Sequence, residues 1–263
     1  MDYISMIRYP SDNMSELTKV LKPTYMPVAI YRSKDFPAGA SKPSDSHCIF
    51  ESMFLPALKD GKTVASASGT IGCAGALNGL GFGGEPKEAR DRLMVNYSVG
   101  SEGYEGRGFF ADPDTAEKNY RSKVPVYGDD GDYIVMQPLD EAEAAGAPIE
   151  TVVFLSNPTE IAALVTLAGY SRGFGCSVIR SSFALSCEQI YAMARQENES
   201  AQPRMVLGGT EFHVRGLIDE DKMTVSIPYK LYTVMDRDAP KSFLRDDRWR
   251  KASAHKKCDD CCC

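Results

Sequence analysis

Positive charge is in short supply. Thirty Lys and Arg face 36 Asp and Glu, and the net charge of -6 argues against a protein-wide attraction to nucleic acid or anionic lipid, leaving only room for a local basic patch. Long apolar runs are lacking too: no stretch approaches the ~20 residues of a membrane span. The opening Met1-Asp2-Tyr3-Ile4-Ser5-Met6-Ile7-Arg8 has neither a basic leader nor a signal-peptide core, so the expected address is the cytoplasm. The chain shows no internal repeat, no low-complexity linker, no complete Walker sequence and no complete strand-GxGxxG-helix arrangement. What remains is the composition of an ordinary globular protein, with 43% hydrophobic, 10% aromatic and 25% charged residues. At ~100 to 200 residues per domain, 263 residues allow one large domain or two small ones.

Cysteine is present but unevenly placed. Cys48, Cys73, Cys176 and Cys187 are scattered through the body, whereas Cys258, Cys261, Cys262 and Cys263 crowd the last six residues. That is not a disulfide framework; in a reducing compartment it reads as metal-binding or redox-active.

Local patterns give the organisation. Ser15 to Leu21 has short helical character, Pro27 to Arg32 reads as a strand, and Ile49 to Leu58 carries apolar residues at near-helical spacing with Cys48 at its start. Lys62 to Ser68 is extended. The glycine-dense Gly69 to Gly84 reads as a turn-rich loop, since Gly72-Cys73-Ala74-Gly75 and Gly79 to Gly84 are poor helix interiors. Glu85 opens a helix to about Tyr97, a second glycine loop covers Gly100 to Gly108, and a polar helix spans Asp114 to Arg121. Strands follow at Tyr133 to Leu139 and Thr151 to Leu155, with a loop or one helical turn between them. Asn157-Pro158-Thr159-Glu160 is a capping box with proline at the first helical position, and Ser186 with Gln189 repeats that pattern, which places Cys187 in a first helical turn. Further strands are expected at Met205 to Leu207 and Met223 to Ile227, a turn at Asp219-Glu220-Asp221, and a mixed-charge helix from Pro240 to Ala254.

The order of these features resembles the domain of unknown function 169 family of bacterial and archaeal proteins. The resemblance rests on Pro27-Val28-Ala29-Ile30, His47-Cys48, Asp60-Gly61-Lys62-Thr63, Gly72-Cys73-Ala74-Gly75 and Leu80-Gly81. In the second half it rests on Val153 to Pro158, Cys187, Leu207-Gly208-Gly209, Arg215, Asp221-Lys222-Met223 and Ile227-Pro228. It implies a fold and candidate positions but no reaction. Where family members often carry a cysteine at a strand end, this chain has Gly208 or Gly209, and the resemblance leaves the cysteine tail unexplained.

The expected architecture is an α/β or α+β fold: a mixed β-sheet with flanking helices, one compact domain of two halves over residues 1–240, then a C-terminal mixed-charge helix and cysteine-rich tail over 241–263. Cys48, Cys73 and Cys187 are expected at loop ends or helix starts, where amide dipoles favour the thiolate; with His47 they would form a soft site for zinc, iron or an iron-sulfur cluster. Their separations carry no ligand-spacing signature, and core packing is the plainer reading. Cys258, Cys261, Cys262 and Cys263 make a second metal candidate, with His255 three residues upstream of a Cys-x-x-Cys that lacks a second pair; Asp260 argues against prenylation. Gly72, Gly75, Gly81 and Gly83 are the candidate positions for a small anionic ligand, although Glu85 nearby would repel one. Glu211, His213, Arg215 and Asp219 read as a solvated strand face rather than acid-base equipment. The basic run from Arg245 to Lys257 is interleaved with Asp246 and Asp247 and reads as a solvated helix face. These features point to a binding or redox accessory protein holding a metal or iron-sulfur cofactor. The alternatives are an enzyme acting on a small anionic metabolite and an interaction module without cofactor. A redox partner belongs to the first reading, and nucleic acid and membrane to none of them.

Overall fold

A computed structural model describes residues 14–44, 48–82, 87–121, 132–173, 175, 177–247, 249 and 251. Seven strands form one mixed sheet: β1 (Val28–Ser33), β2 (Val64–Ala67), β3 (Tyr133–Pro138), β4 (Thr151–Ser156), β5 (Ile179–Arg180), β6 (Met205–Gly208) and β7 (Met223–Pro228). Their spatial order is β2-β3-β1-β4-β7-β6-β5, antiparallel throughout except for β5 beside β6. The fold is therefore α+β, with helices on both sheet faces. Central β4 shows what this demands of a sequence: all six residues of Thr-Val-Val-Phe-Leu-Ser are buried, because neither face meets water.

The two faces have separate cores. On one, Ala29, Val135, Val152, Phe154 and Ile227 pack against α1 (Glu16–Leu21), α6 (Leu139–Ala144), α7 (Pro158–Gly169) and α10 (Tyr229–Asp238). On the other, Val28, Ile30, Met136, Val153 and Leu155 meet the helices that carry the cysteines. The first of these begins at Ile49, passes through a π-turn at Phe50–Phe54 and continues as α2 (Leu55–Lys59). The second begins at Ser186, passes through a π-turn at Glu188–Ala192 and continues as α8 (Met193–Glu197). Short α3 (Ala74–Gly79) and α9 (Phe212–Arg215) complete this layer, and α4 (Lys87–Val99) with α5 (Pro113–Arg121) is inserted between α3 and β3.

Several local expectations hold for local reasons. In α7 the Asn157 Oδ1 accepts the Glu160 N–H at 2.9 Å, and Glu160 Oε2 accepts the Asn157 N–H at 3.1 Å, with Pro158 at the first helical position. Others fail because a tertiary partner outbids the local one. Ser186 does not cap the Cys187 helix: its hydroxyl and its N–H both donate to Glu211, and Gln189 accepts the Gly209 N–H instead of closing a box. Glu211 caps the start of α9 by position, and His213 and Arg215 lie within that helix and not on a strand face. The Gly69 to Gly84 stretch is not all loop, since α3 contains Gly75 and Gly79. A Cβ on Gly79 would stand 2.6 Å from the Glu188 amide nitrogen, so glycine is there to let α3 approach the Cys187 turn. The segment expected as a helix from Pro240 starts as two 3-10 turns, Ala239–Lys241 and Phe243–Arg245, with helical backbone at 247, 249 and 251; its remainder lies outside the described residues.

The sequence shows no repeat, but the strand register does. Exchanging Val28 with Thr151 and Pro138 with Pro228 turns the β1–β3 ladder into the β4–β7 ladder over all six pairs. The central β1–β4 ladder maps onto itself under this exchange, because Val28 pairs with Val153, Ala29 with Val152 and Ile30 with Thr151. At the next strand out, Val64 pairs with Met136 as Val206 pairs with Ser226. At the edges Ser41 bridges Val64 in parallel, as Arg180 pairs with Val206. The two halves are thus related by a two-fold through the Ala29–Val152 pair. Hydrophobic strands tolerate many sequences at one register, which is why this leaves no sequence repeat.

Candidate functional site

A cavity of about 610 Å³ lies among the helices of the second layer. Its wall takes Cys48, Ile49 and Phe50 from one helix start, Cys73 to Ala76 from another and Leu185, Ser186 and Cys187 from a third. Glu211, His213 and Val214 add the start of α9, while Leu93, Met94 and Tyr97 of α4 and Tyr104 and Arg107 of the following loop form the far side. That far side belongs to the inserted α4–α5 hairpin. Its two helices are joined by a 2.8 Å hydrogen bond between the Ser98 and Tyr120 hydroxyls. Phe109 packs on Phe183 at 4.9 Å and on Phe212 at 5.5 Å between ring centroids, which ties the insertion to the second half.

The three body cysteines, 25 and 114 residues apart in sequence, therefore converge. Each stands at the start of a different helix, and none of the three is in a disulfide. The expected thiolate character is not what the surroundings of Cys48 and Cys187 favour. Burial pushes the Cys48 thiol up, against the smaller opposing pull of the Glu51 and Phe50 backbone donors at the helix start. Cys187, 8% exposed, is pushed well above the usual thiol range by burial first and then by the neighbouring Cys73, Cys48 and Glu211. Cys48 and Cys187 are thus neutral thiols near neutral pH, and a bound electrophilic centre would have to displace their protons.

Glu211 is the other buried ionisable group in the wall, 8% exposed. Its Oε2 accepts the Ser186 N–H at 3.1 Å and the Ser186 hydroxyl at 3.0 Å, which fixes the carboxylate at the start of the Cys187 helix. Arg107 lies over the Tyr97 ring, 5.5 Å from its centroid, on the exposed side, and His213 is also exposed. Burial and then the Glu211 charge push the Tyr97 phenol up, so it is a neutral hydrogen-bonding group at neutral pH.

Of the glycines expected to bind a ligand, Gly75 lines the cavity. Gly72 is exposed just before Cys73, and Gly81 is buried in the turn after α3, where its φ of +69° suits glycine; neither is in the wall. Gly83 and His47 lie outside the described residues, as do Cys258, Cys261, Cys262 and Cys263. Among the described residues no group of three or more His, Cys, Asp or Glu side chains is arranged to hold a metal ion, and no helix is long and apolar enough to cross a membrane. Sequence reasoning named Glu211 but not its burial, and missed Leu93, Met94, Tyr97, Tyr104 and Arg107. Nothing in the α4–loop sequence marks them, because they reach the site only through the packing of the insertion.

No curated protein and no solved structure matches the chain. A family model matches residues 16–237, from α1 into the last turn of α10 and across every element of the cavity. The chain belongs to that family, DUF169, described as uncharacterised ArCR.

Proposed function

We propose that the protein is a binding protein whose thiol-lined cavity holds a soft, thiophilic cofactor, a metal ion or an iron-sulfur cluster, through Cys48, Cys73 and Cys187. The observation that carries this reading is their convergence: three separate helix starts bring a cysteine to one cavity, which core packing alone does not require. Helix starts also favour the anionic sulfur that a bound metal demands, so the dipole contribution now outweighed by burial becomes useful once a cation is present. Since the described side chains do not form a ready metal group, loading has to draw the sulfurs inward and release protons.

The test is anaerobic purification and reconstitution with iron and sulfide, or with zinc, followed by metal quantification per chain. Stoichiometric metal that is lost in C48S, C73S and C187S, and kept in C258S and C261S, supports the cavity. Metal-free protein, or metal lost only with the tail cysteines, overturns it.

A second reading is a small organic ligand, with or without turnover. The cavity volume favours it, lying inside the ~300 to 1,000 Å³ range of small-molecule sites, as do the apolar Leu93, Met94 and Leu185. An anionic portion of such a ligand would have to sit towards Arg107, away from Glu211. Thermal stabilisation by a metabolite without any metal would support this reading over the first.

A further inference from the structure

We propose that the cavity takes an apolar monocarboxylic acid, with the hydrocarbon body of the ligand buried inside and its carboxylate held at the rim by Arg107. This rests on the cavity being a site for a small organic ligand, and not on the metal reading.

The wall is graded from one end to the other. Phe50, Met94, Leu185 and Val214 are each 6% exposed or less, so one end is closed and apolar. Cys48 and Cys187 extend that end, because burial keeps both as neutral thiols and a neutral thiol packs as a small apolar group. The other end is made of exposed side chains, Leu93, Tyr104, Arg107 and His213. Leu93 and Tyr104 are two of the five large hydrophobic side chains that stand exposed among the described residues, so the way in is itself apolar.

Charge follows the same gradient. The Glu211 carboxyl, fixed by both bonds from Ser186, sits in the buried part and disfavours a second negative charge there. The opposite charge stands at the rim: the Arg107 guanidinium lies against the Tyr97 ring and meets no carboxylate among the described residues. Glu102 and Glu105 of the same loop are exposed and outside the wall. An arginine in that position keeps donors for a bidentate carboxylate contact. A molecule that fits therefore has a neutral, apolar leading end and a negative trailing end.

The two-fold shows where the rim comes from. The helices that follow Cys48 and begin at Ser186 come after the equivalent edges Ser41 and Arg180, and α3 and α9 come after the equivalent strands β2 and β6. These elements form the floor. After α9 the chain reaches β7 through residues 216–222 alone, whereas after α3 it builds α4, the glycine loop and α5 before β3. Leu93, Tyr104 and Arg107 all belong to that insertion, so the end that recognises the anion is the part of the cavity without a counterpart in the other half.

The test is calorimetric titration of the full-length chain with hexanoate, octanoate and decanoate, and with octan-1-ol and octylamine as the neutral and cationic matches of octanoate. Modification of Cys48 by N-ethylmaleimide, followed by peptide mass spectrometry, reports whether the ligand is in the cavity. Octanoate is expected to bind and to slow Cys48 modification, with affinity rising about fourfold per methylene along the acid series. Octan-1-ol is expected to bind about fivefold more weakly, the weight of an ion pair at an exposed rim, and octylamine more weakly still. Arg107→Gln is expected to weaken octanoate by the same factor and to leave octan-1-ol unchanged. If octan-1-ol binds as tightly as octanoate while protecting Cys48, the carboxylate assignment falls and the organic-ligand reading stands. If none of these ligands binds, or if binding leaves Cys48 modification unchanged, this proposal and an apolar ligand in the cavity fall together.

Discussion

Gly79→Ala probes the contact that seats α3 against the Cys187 helix. Gly79 has ordinary helical backbone, so alanine needs no unusual conformation and by propensity alone would stabilise the helix by about 1 kcal/mol. Against this, the new methyl would lie 2.6 Å from the Glu188 nitrogen and 2.8 Å from both the Cys187 carbonyl carbon and its Cβ. These are mostly backbone atoms at a helix start and cannot swing aside. Overpacking of this kind costs about 1 to 3 kcal/mol, and a backbone obstacle belongs at the top of that range. The net loss is about 2 kcal/mol, which for a chain of this size lowers Tm by about 4 to 8 °C. Gly75→Ala is the matched control. Its methyl would clash only with the Leu185 Cδ1 at 2.7 Å, the movable end of a side chain, and would touch Met94 at ordinary contact distance, so clash and propensity nearly cancel and Tm shifts by less than about 2 °C. Differential scanning calorimetry on the two variants decides the matter. A Gly79→Ala protein as stable as the parent, or no less stable than Gly75→Ala, would refute the claim that close approach, and not chain flexibility, selects glycine there.

Two further outcomes follow from the titrating groups. Burial first, then the charges of Asp236 and Asp140, raise the Glu143 carboxyl to about 7. Its folded value therefore lies above its unfolded one, near 4.3, so the folded state holds the extra proton between them. The stability this group allows is complete below about 4.3 and is lost as pH rises through about 7. Glu143→Gln should flatten that decline, gaining on the parent in denaturant melts as pH goes from 5 to 8; parallel profiles would remove the argument. The second outcome concerns the thiols. At pH 8 a brief exposure to iodoacetamide, mapped by peptide mass spectrometry, should label Cys187 at least about tenfold less than Cys48, since Cys187 is buried and its thiol is pushed up further. Equal labelling of the two would contradict the burial described for the site.

Much of the architecture was legible along the chain. The α7 capping box is complete within four residues, so Asn157 and Glu160 needed no distant partner to announce it. The buried strands β3, β4 and β7 announce themselves as short β-branched and apolar runs between turn residues, and Pro138 and Pro228 close two of them. Errors arose where a residue's best partner lay far off. Ser186 and Gln189 look like a box, yet Glu211 and Gly209, 25 and 20 positions later, offer bonds inside a buried layer where each polar atom must be satisfied. Glycine looked like a loop former at Gly79 because propensity knows nothing of a neighbouring helix whose backbone nitrogen would stand 2.6 Å from a methyl there.

The sequence by itself determined the order of the longer elements, the mixed sheet, and the placement of Cys48 and Cys187 at helix starts and of Cys73 in a glycine-rich segment, because these depend on patterns a few residues long. Only the tertiary structure decided that these sulfurs share one cavity, that Glu211 joins them, and that the two halves repeat. Strand pairing acts across roughly seventy to more than a hundred residues and is indifferent to which apolar side chain fills each place, so it leaves no motif to read.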